Sequence, residues 1–226
     1  MVLLTLFYKG ETSGETFNRI LKLLEVLCFK LKLGDYRTDY LPRYSRKYFN
    51  PNENYNIVNL YKDIRNATEN GFKDYWNNKD YFKNIIPNYF DNQTYHYHRN
   101  RIKFVLWQYE NELRIINRSG TLLDKEQYDS YTIEHIKPQN PDKIVYTEDF
   151  IKNYLHKAGN MALLTLIQNI IFGNKSFEEK GELFQDTALS SYTEIRKETK
   201  WTETEIDERQ KRISDFAKEY FDITKI

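Results

Sequence analysis

Hydrophobic positions recur at three- and four-residue spacing through most of this chain, and the rhythm changes to alternation in only a few places. Between Ser13 and Lys32, the residues Phe17, Ile20, Leu21, Leu24, Leu27, Cys28 and Leu31 share one stripe, with Ser13 or Thr16 available as a cap and Gly34 just beyond. That spacing predicts an amphipathic helix. A second helix is predicted from Tyr55 to Asn70, with Val58, Tyr61, Ile64 and Ala67 on one face and Gly71 at its end. A shorter one is predicted from Lys79 to Ile86, stopping before Pro87. From Asn100 to Asn117, Ile102, Val105, Leu106, Tyr109, Leu113 and Ile116 line one side and charges the other, which predicts a further helix. The stretch after the first helix is dense in Tyr and Arg and broken by Gly34, Pro42 and Pro51, so it reads as loop.

After RSGTLLDKEQYDS the helical period is lost, and Tyr131 to Ile136 reads as a β-branched strand. A domain boundary is expected near Ser119 to Ser130, giving a helical region over 1–125 and a second domain over 126–226. Thr147 caps a short helical excursion, Gly159 introduces a second strand at Asn160 to Thr165, and a helix follows from Leu166 to Phe172, ended by Gly173. Two more helices are predicted, Ser176 to Phe184 and Glu203 to Phe221. The last carries Ile206, Ile213, Phe216, Ala217 and Tyr220 on one face. The predicted class is α+β, predominantly helical, without repeats.

Composition narrows the partners. In the 226 residues, 34 basic and 33 acidic side chains leave a net charge of +1, so nucleic-acid binding requires a local patch. A single cysteine, Cys28, excludes an internal disulfide and fits a reducing compartment; its place in the helical stripe predicts a core residue. The apolar opening MVLLTLFYKG is too short to span a bilayer and lacks the marks of a secretory signal, so it is expected to be buried structure in a cytoplasmic protein.

Candidate chemistry concentrates in two stretches. YTIEHIKPQNPDK places Glu134 and His135 side by side at a strand end, and AGNMALLTLIQNIIFGNKSFEEK supplies Asn160, Asn169, Asn174 and Lys175 on an apolar frame. A strand, an excursion, a second strand and a helix can set groups from the first strand's end against groups from the helix. Mg²⁺, or Mn²⁺, needs few protein ligands because it keeps its waters and takes a substrate phosphate; Glu134 and Asn169 are the chosen ligands. His135 is the candidate general base, brought into the same pocket by local distortion near Pro138. Asn160 could fix the His135 ring, and Lys175 or Lys180 could neutralise a phosphate. Plainer readings stand beside these: a surface ion pair for the Glu-His dipeptide, a turn role for Asn160, a helix-surface role for Asn169 and a helix cap for Asn174. His96 and His98 read as a solvated basic loop. That loop leads into Arg99, Arg101 and Lys103, which with Tyr95, Tyr97 and Trp107 form a candidate phosphate-contacting surface. Lys137 is electropositive help or plain surface, and His156 is an alternative ligand.

IEHIKPQ, then AGNMALLTL, then N-x4-NKSF-x2-K resembles the HNH, or ββα-metal, nuclease domain at the C-terminal end of GmrSD-type modification-dependent restriction proteins. The likeness covers roughly Tyr128 to Phe221, including Trp201, Ile206 and Arg209, which are similar to the family's W-x4-I-x2-R tail. It implies a ββα-metal (His-Me finger) fold in the C-terminal half, with Glu134 as the metal-binding acid, His135 as general base and Asn160 as the middle asparagine. Asn169 would stand in place of the final histidine, as in nucleases with an H-N-N pattern. The implied activity is metal-dependent endonucleolytic hydrolysis of DNA in restriction or phage defence. The family's DGQQR-type motif is absent from the sequence, which implies the C-terminal part of a longer architecture or a subunit that works with a separate ParB-like nucleotide-binding partner. Two further readings remain: a catalytically degenerate DNA- or partner-binding module of a split restriction system, and an RNA-directed nuclease.

Overall fold

The computed structural model describes residues 14–34, 57–71, 84–91, 99–141 and 145–226. The opening decapeptide, the Tyr- and Arg-dense stretch and the pair His96 and His98 lie outside the described residues. The chain divides into two compact units, one comprising residues 1–89 and 220–226 and the other residues 90–219. Compactness therefore groups the long helix before Ser119 with the C-terminal residues, although its sequence character matches the helices upstream.

In the first unit, α1 (Glu15–Leu33) and α2 (Ile57–Asn70) pack through Ile20, Leu23, Leu60 and Ile64. The buried faces are rotated from the predicted stripes. Leu23 and Val26 are buried while Leu21 is exposed, and Leu60 replaces Val58, which is about half exposed. Thr68 closes the pair by bonding the Leu23 and Ile64 carbonyls at 3.3 and 2.7 Å. Cys28 is half-buried rather than in the core, and burial pushes its thiol pKa up. Helix α3 (Ile85–Asp91) runs through Pro87 instead of ending before it. Pro87 sits in the first turn, where no intrahelical N–H is required, and the first bond is made by Asn88 to the Asn84 carbonyl at 2.9 Å.

In the second unit, α4 (Arg99–Asn117) lies against an antiparallel pair, β1 (Tyr131–His135) and β2 (Met161–Thr165). The register sets Glu134 opposite Ala162 and His135 opposite Met161. Between the strands, Thr147 caps α5 (Glu148–Asn153) by accepting from the Phe150 N–H. Helix α6 (Leu166–Phe172) starts at a Thr165–Gln168 capping box directly after β2 and packs on both strands. It ends at Gly173, whose φ of 51° favours glycine.

Helix α7 (Phe177–Gln185) begins at a second capping box, Ser176 with Glu179, so Ser176 and not Asn174 is the cap. The short α8 (Tyr192–Ile195) and the long α9 (Glu203–Tyr220) follow. Phe172, Phe177, Phe184, Tyr192 and Trp201 form a connected chain of ring contacts through α6, α7, α8 and the segment before α9. In α4, the fully buried Glu110 takes the Ser190 and Ser191 N–H groups at 2.8 Å each, and Arg114 Nε at 2.7 Å. Ile116, assigned to the buried stripe by its spacing, is exposed in the last turn of α4. No helix among the described residues is long and apolar enough to cross a membrane.

Candidate active site

The strand ladder stops at His135, and the chain turns at once. The Ile136 N–H donates to the Asn160 carbonyl at 2.9 Å, and the Lys137 N–H to the Asn160 side-chain oxygen at 2.9 Å. The turn lets neighbours on β1 reach one cavity of about 380 Å³, bordered by Arg99, Glu134, His135, Gln139, His156 and Asn169. These residues come from α4, β1, the β1 exit, the excursion and α6.

Glu134 is buried and paired with Lys180, whose Nζ lies 2.5 Å from Glu134 Oε1. Burial raises the Glu134 pKa and lowers that of Lys180, while their mutual attraction opposes both shifts. A carboxylate offers about four lone-pair directions, so one ammonium does not exhaust it. Asn169 donates from its amide nitrogen to Thr132 Oγ1 at 2.9 Å and the Ile133 carbonyl at 3.1 Å. With the nitrogen committed to β1, the oxygen is what Asn169 can present to the cavity. The structure thus brings both chosen ligands and the chosen base to one wall.

His135 is nearly buried. Gln139 Nε2 lies 3.0 Å from its Nδ1 and 3.2 Å from its Nε2. A single atom that close to both ring nitrogens cannot lie in the ring plane without colliding with Cε1, so the amide sits over the imidazole face. The His156 ring meets His135 nearly at right angles, with centroids 5.4 Å apart. Gln139 and His156 therefore hold the imidazole by its surface, a role that the sequence pattern alone assigned to neither. The signal for Gln139 was available in its four-residue spacing from His135 across a proline turn.

Asn160 corrects an expectation. Its side chain does not bond the His135 ring; it is fully buried, donating to the Leu155 and Lys137 carbonyls at 2.9 and 3.1 Å and accepting from Lys137 N and Trp201 Nε1. Asn160 instead holds the backbone two residues beyond His135, through the Lys137 N–H and carbonyl. Its neighbour Gly159 is obligatory for another reason: a Cβ there would lie 2.0 Å from the Ile206 carbonyl oxygen of α9. Arg209, also fully buried, donates to the Ala158, Gly159 and Met161 carbonyls and binds β2 to α9.

Lys180 is a second correction. Its side chain is fully buried and donates to Glu134, to the His135 carbonyl at 2.8 Å and to the Ile136 carbonyl at 3.3 Å, leaving no proton for a phosphate. Lys175 is exposed, reaches back to the Ile171 carbonyl at 2.5 Å and does not border the cavity. Arg99 borders it; Arg101 does not. Lys137 lies over the Phe150 ring, 4.7 Å from its centre. Asn174 also borders the cavity. Among the described residues no three His, Cys, Asp or Glu side chains cluster as a metal site. The donors present are one carboxylate, side-chain amides and imidazoles, which suit a hard divalent ion that keeps most of its waters.

The family model for GmrSD restriction endonucleases, C-terminal domain, matches residues 65–216, which takes in the whole cavity wall. The chain belongs to that family. Membership as a GmrSD C-terminal domain implies a restriction-endonuclease type of function, with DNA as the substrate. Glu134, His135, Asn160, Asn169 and Lys180 all fall inside the matched span of the GmrSD domain. No curated protein matches the sequence.

Proposed function

We propose that this chain is an HNH-type endonuclease that hydrolyses DNA phosphodiester bonds with Mg²⁺ or Mn²⁺, in restriction or phage defence within the cytoplasm. The observation that carries the reading is the convergence of Glu134, His135 and Asn169 on one cavity that Arg99 also borders. The strand, excursion, strand and helix of this region have the order of a ββα-metal motif, which supports the assignment further. Glu134 and the Asn169 amide oxygen would hold the ion. Bound there, it would polarise the scissile phosphate and stabilise the leaving 3′ oxygen.

His135 takes the proton from the attacking water, and the Gln139 amide over its ring face holds the imidazole in place for this. Asn160 keeps the strand end in register through Lys137. Arg99, at the N-terminus of α4, supplies a positive charge for a neighbouring phosphate. A separate ParB-like nucleotide-binding subunit is the proposed source of modified-base selection.

The experiment is a cleavage assay on plasmid and phage DNA, with and without Mg²⁺ and Mn²⁺, with matched RNA substrates alongside. His135→Ala is expected to lower the rate by roughly 10²- to 10⁴-fold, the usual share of a general base, with the melting temperature unchanged. An undiminished rate in that variant ends the assignment. One observation favours a second reading, a module that binds DNA or a partner without cutting: Glu134 already has a cationic partner in Lys180. That reading predicts no metal-dependent cleavage of any substrate in the same assay.

A further inference from the structure

The proposed chemistry makes no use of Lys180, yet no side chain near the cavity is more deeply committed to it. Its ammonium group is fully buried and holds the Glu134 carboxylate, the carbonyl of the proposed base His135 and the carbonyl of Ile136 together. Among the described residues Glu134 is also the only carboxylate bordering the cavity, whereas Arg99 brings a positive charge to its wall. Taken together, one negative charge is matched by Lys180 and followed by a second positive group. The free site is therefore not anionic, and an incoming divalent ion meets a compensated carboxylate and neutral amides.

We propose that Lys180 is a positioning residue that fixes Glu134 and cancels its charge, so that the divalent ion is retained only when a DNA phosphate completes the site. This rests on the metal-dependent nuclease reading above. A phosphodiester supplies the negative charge and the hard oxygen that the protein withholds. Metal and DNA should then bind with positive coupling, and linkage requires the coupling to be the same in both directions. The lysine's place in the chain suits such a role, since it lies on α7, 46 residues from Glu134, and is set by the Ser176–Glu179 capping box that starts that helix.

The test uses the full chain carrying His135→Ala, whose slowed cutting is expected to leave the duplex intact during the titration. Mn²⁺ is titrated by electron paramagnetic resonance at fixed ionic strength and pH 8, alone and with a duplex of about two helical turns. The duplex is expected to tighten Mn²⁺ binding about tenfold or more, within the 5- to 150-fold range typical of coupled sites, and Mn²⁺ to tighten duplex binding by the same factor. Equal Mn²⁺ affinity with and without the duplex overturns the proposal. Adding Lys180→Met is expected to tighten Mn²⁺ binding in the absence of DNA and to shrink the coupling; a folded variant with neither change also overturns it. Should that variant fail to fold, the titration of the Lys180-containing chain still decides. If the unsubstituted chain cleaves nothing with any metal, the nuclease reading is what fails. If it cleaves while holding Mn²⁺ equally well without DNA, only the role of Lys180 fails.

Discussion

The two compact units of this chain are held together by different means. In the first, α1 and α2 meet through Ile20, Leu23, Leu60 and Ile64, and the closest polar contributions come from Lys30 and Thr68, which bond to nearby carbonyls. In the second, fully buried polar side chains tie the elements together: Glu110, Asn160, Lys180 and Arg209. An aliphatic interface tolerates small shifts, because dispersion and the hydrophobic effect are non-directional. A buried charge or amide tolerates few, since each lost partner leaves a desolvated group behind. The polar side chains of the second unit grip backbone next to the proposed reacting groups: Lys180 the His135 carbonyl, Asn160 the Lys137 amide and Arg209 the Met161 carbonyl. Directional bonds are used where position matters.

The sharpest way to break this comparison is Arg209→Met. It removes three carbonyl bonds and one of the two arginines paired with Glu194, and should destabilise the second unit by about 3–5 kcal/mol, with cleavage lost at temperatures where the native chain works. Urea unfolding followed by intrinsic fluorescence measures it; a loss under about 1 kcal/mol would refute the role given to this residue. Leu23→Ala in the first unit should cost about 2–5 kcal/mol as a cavity, yet leave the specific cleavage rate of the folded protein unchanged. A fall in rate that parallels the loss of stability would mean that the two units are not separable in function.

Gln139→Ala discriminates more finely. It should leave the melting temperature alone while lowering kcat roughly tenfold with KM unchanged, because it loosens the imidazole ring without touching substrate contacts. Restoration of most of the rate by Gln139→Asn in steady-state assays, or a change confined to KM, would contradict the geometry, since the shorter amide cannot span the same distance to the ring. The smallest effect expected is for Ile170→Lys on α6. Leu166, Ile167, Ile170 and Ile171 are all exposed, so the added charge should shift stability by no more than about 0.5 kcal/mol and raise the concentration at which light scattering detects association.

Sequence periodicity was sufficient to place α1, α2, α4, α6 and α9 to within two residues, whereas the capping boxes at Thr165 and Ser176 that start α6 and α7 emerge only in the structure, where Ser176 takes the place of Asn174. The two strands were legible from the change to β-branched residues and from Gly159. The face of α2 was not, because Val58 and Leu60 both fit a helical stripe and only the partner α1 decides between them. Pro87 misled for a simple reason: a proline ends a helix when it falls in the interior and opens one when it falls in the first turn.

The site was legible as a set of residues but not as a division of labour. Glu134, His135 and Asn169 reach one cavity as their spacing implied. Asn160 and Lys180 were given direct roles because an amide and a lysine beside a phosphate site ordinarily serve them. Their burial depends on α9 and α7, which lie far along the chain. Glu110 carried no local signal, since charged positions on an amphipathic helix normally read as its wet face, and Arg209 was marked only by the resemblance to the family's tail, without a role.

The attachment of Lys180 to Glu134 also sets how small a working piece of this protein can be. A fragment ending at Gly173 would hold both strands and the crossing helix, yet it would leave the Glu134 carboxylate without its counter-charge and the strand end without its tether. A transplant of the catalytic hairpin into another scaffold must therefore bring α7 with it, and α9 as well, because Trp201 and Arg209 fasten the second strand's approach. The piece that engineering has to move is the whole second compact unit, not the motif alone.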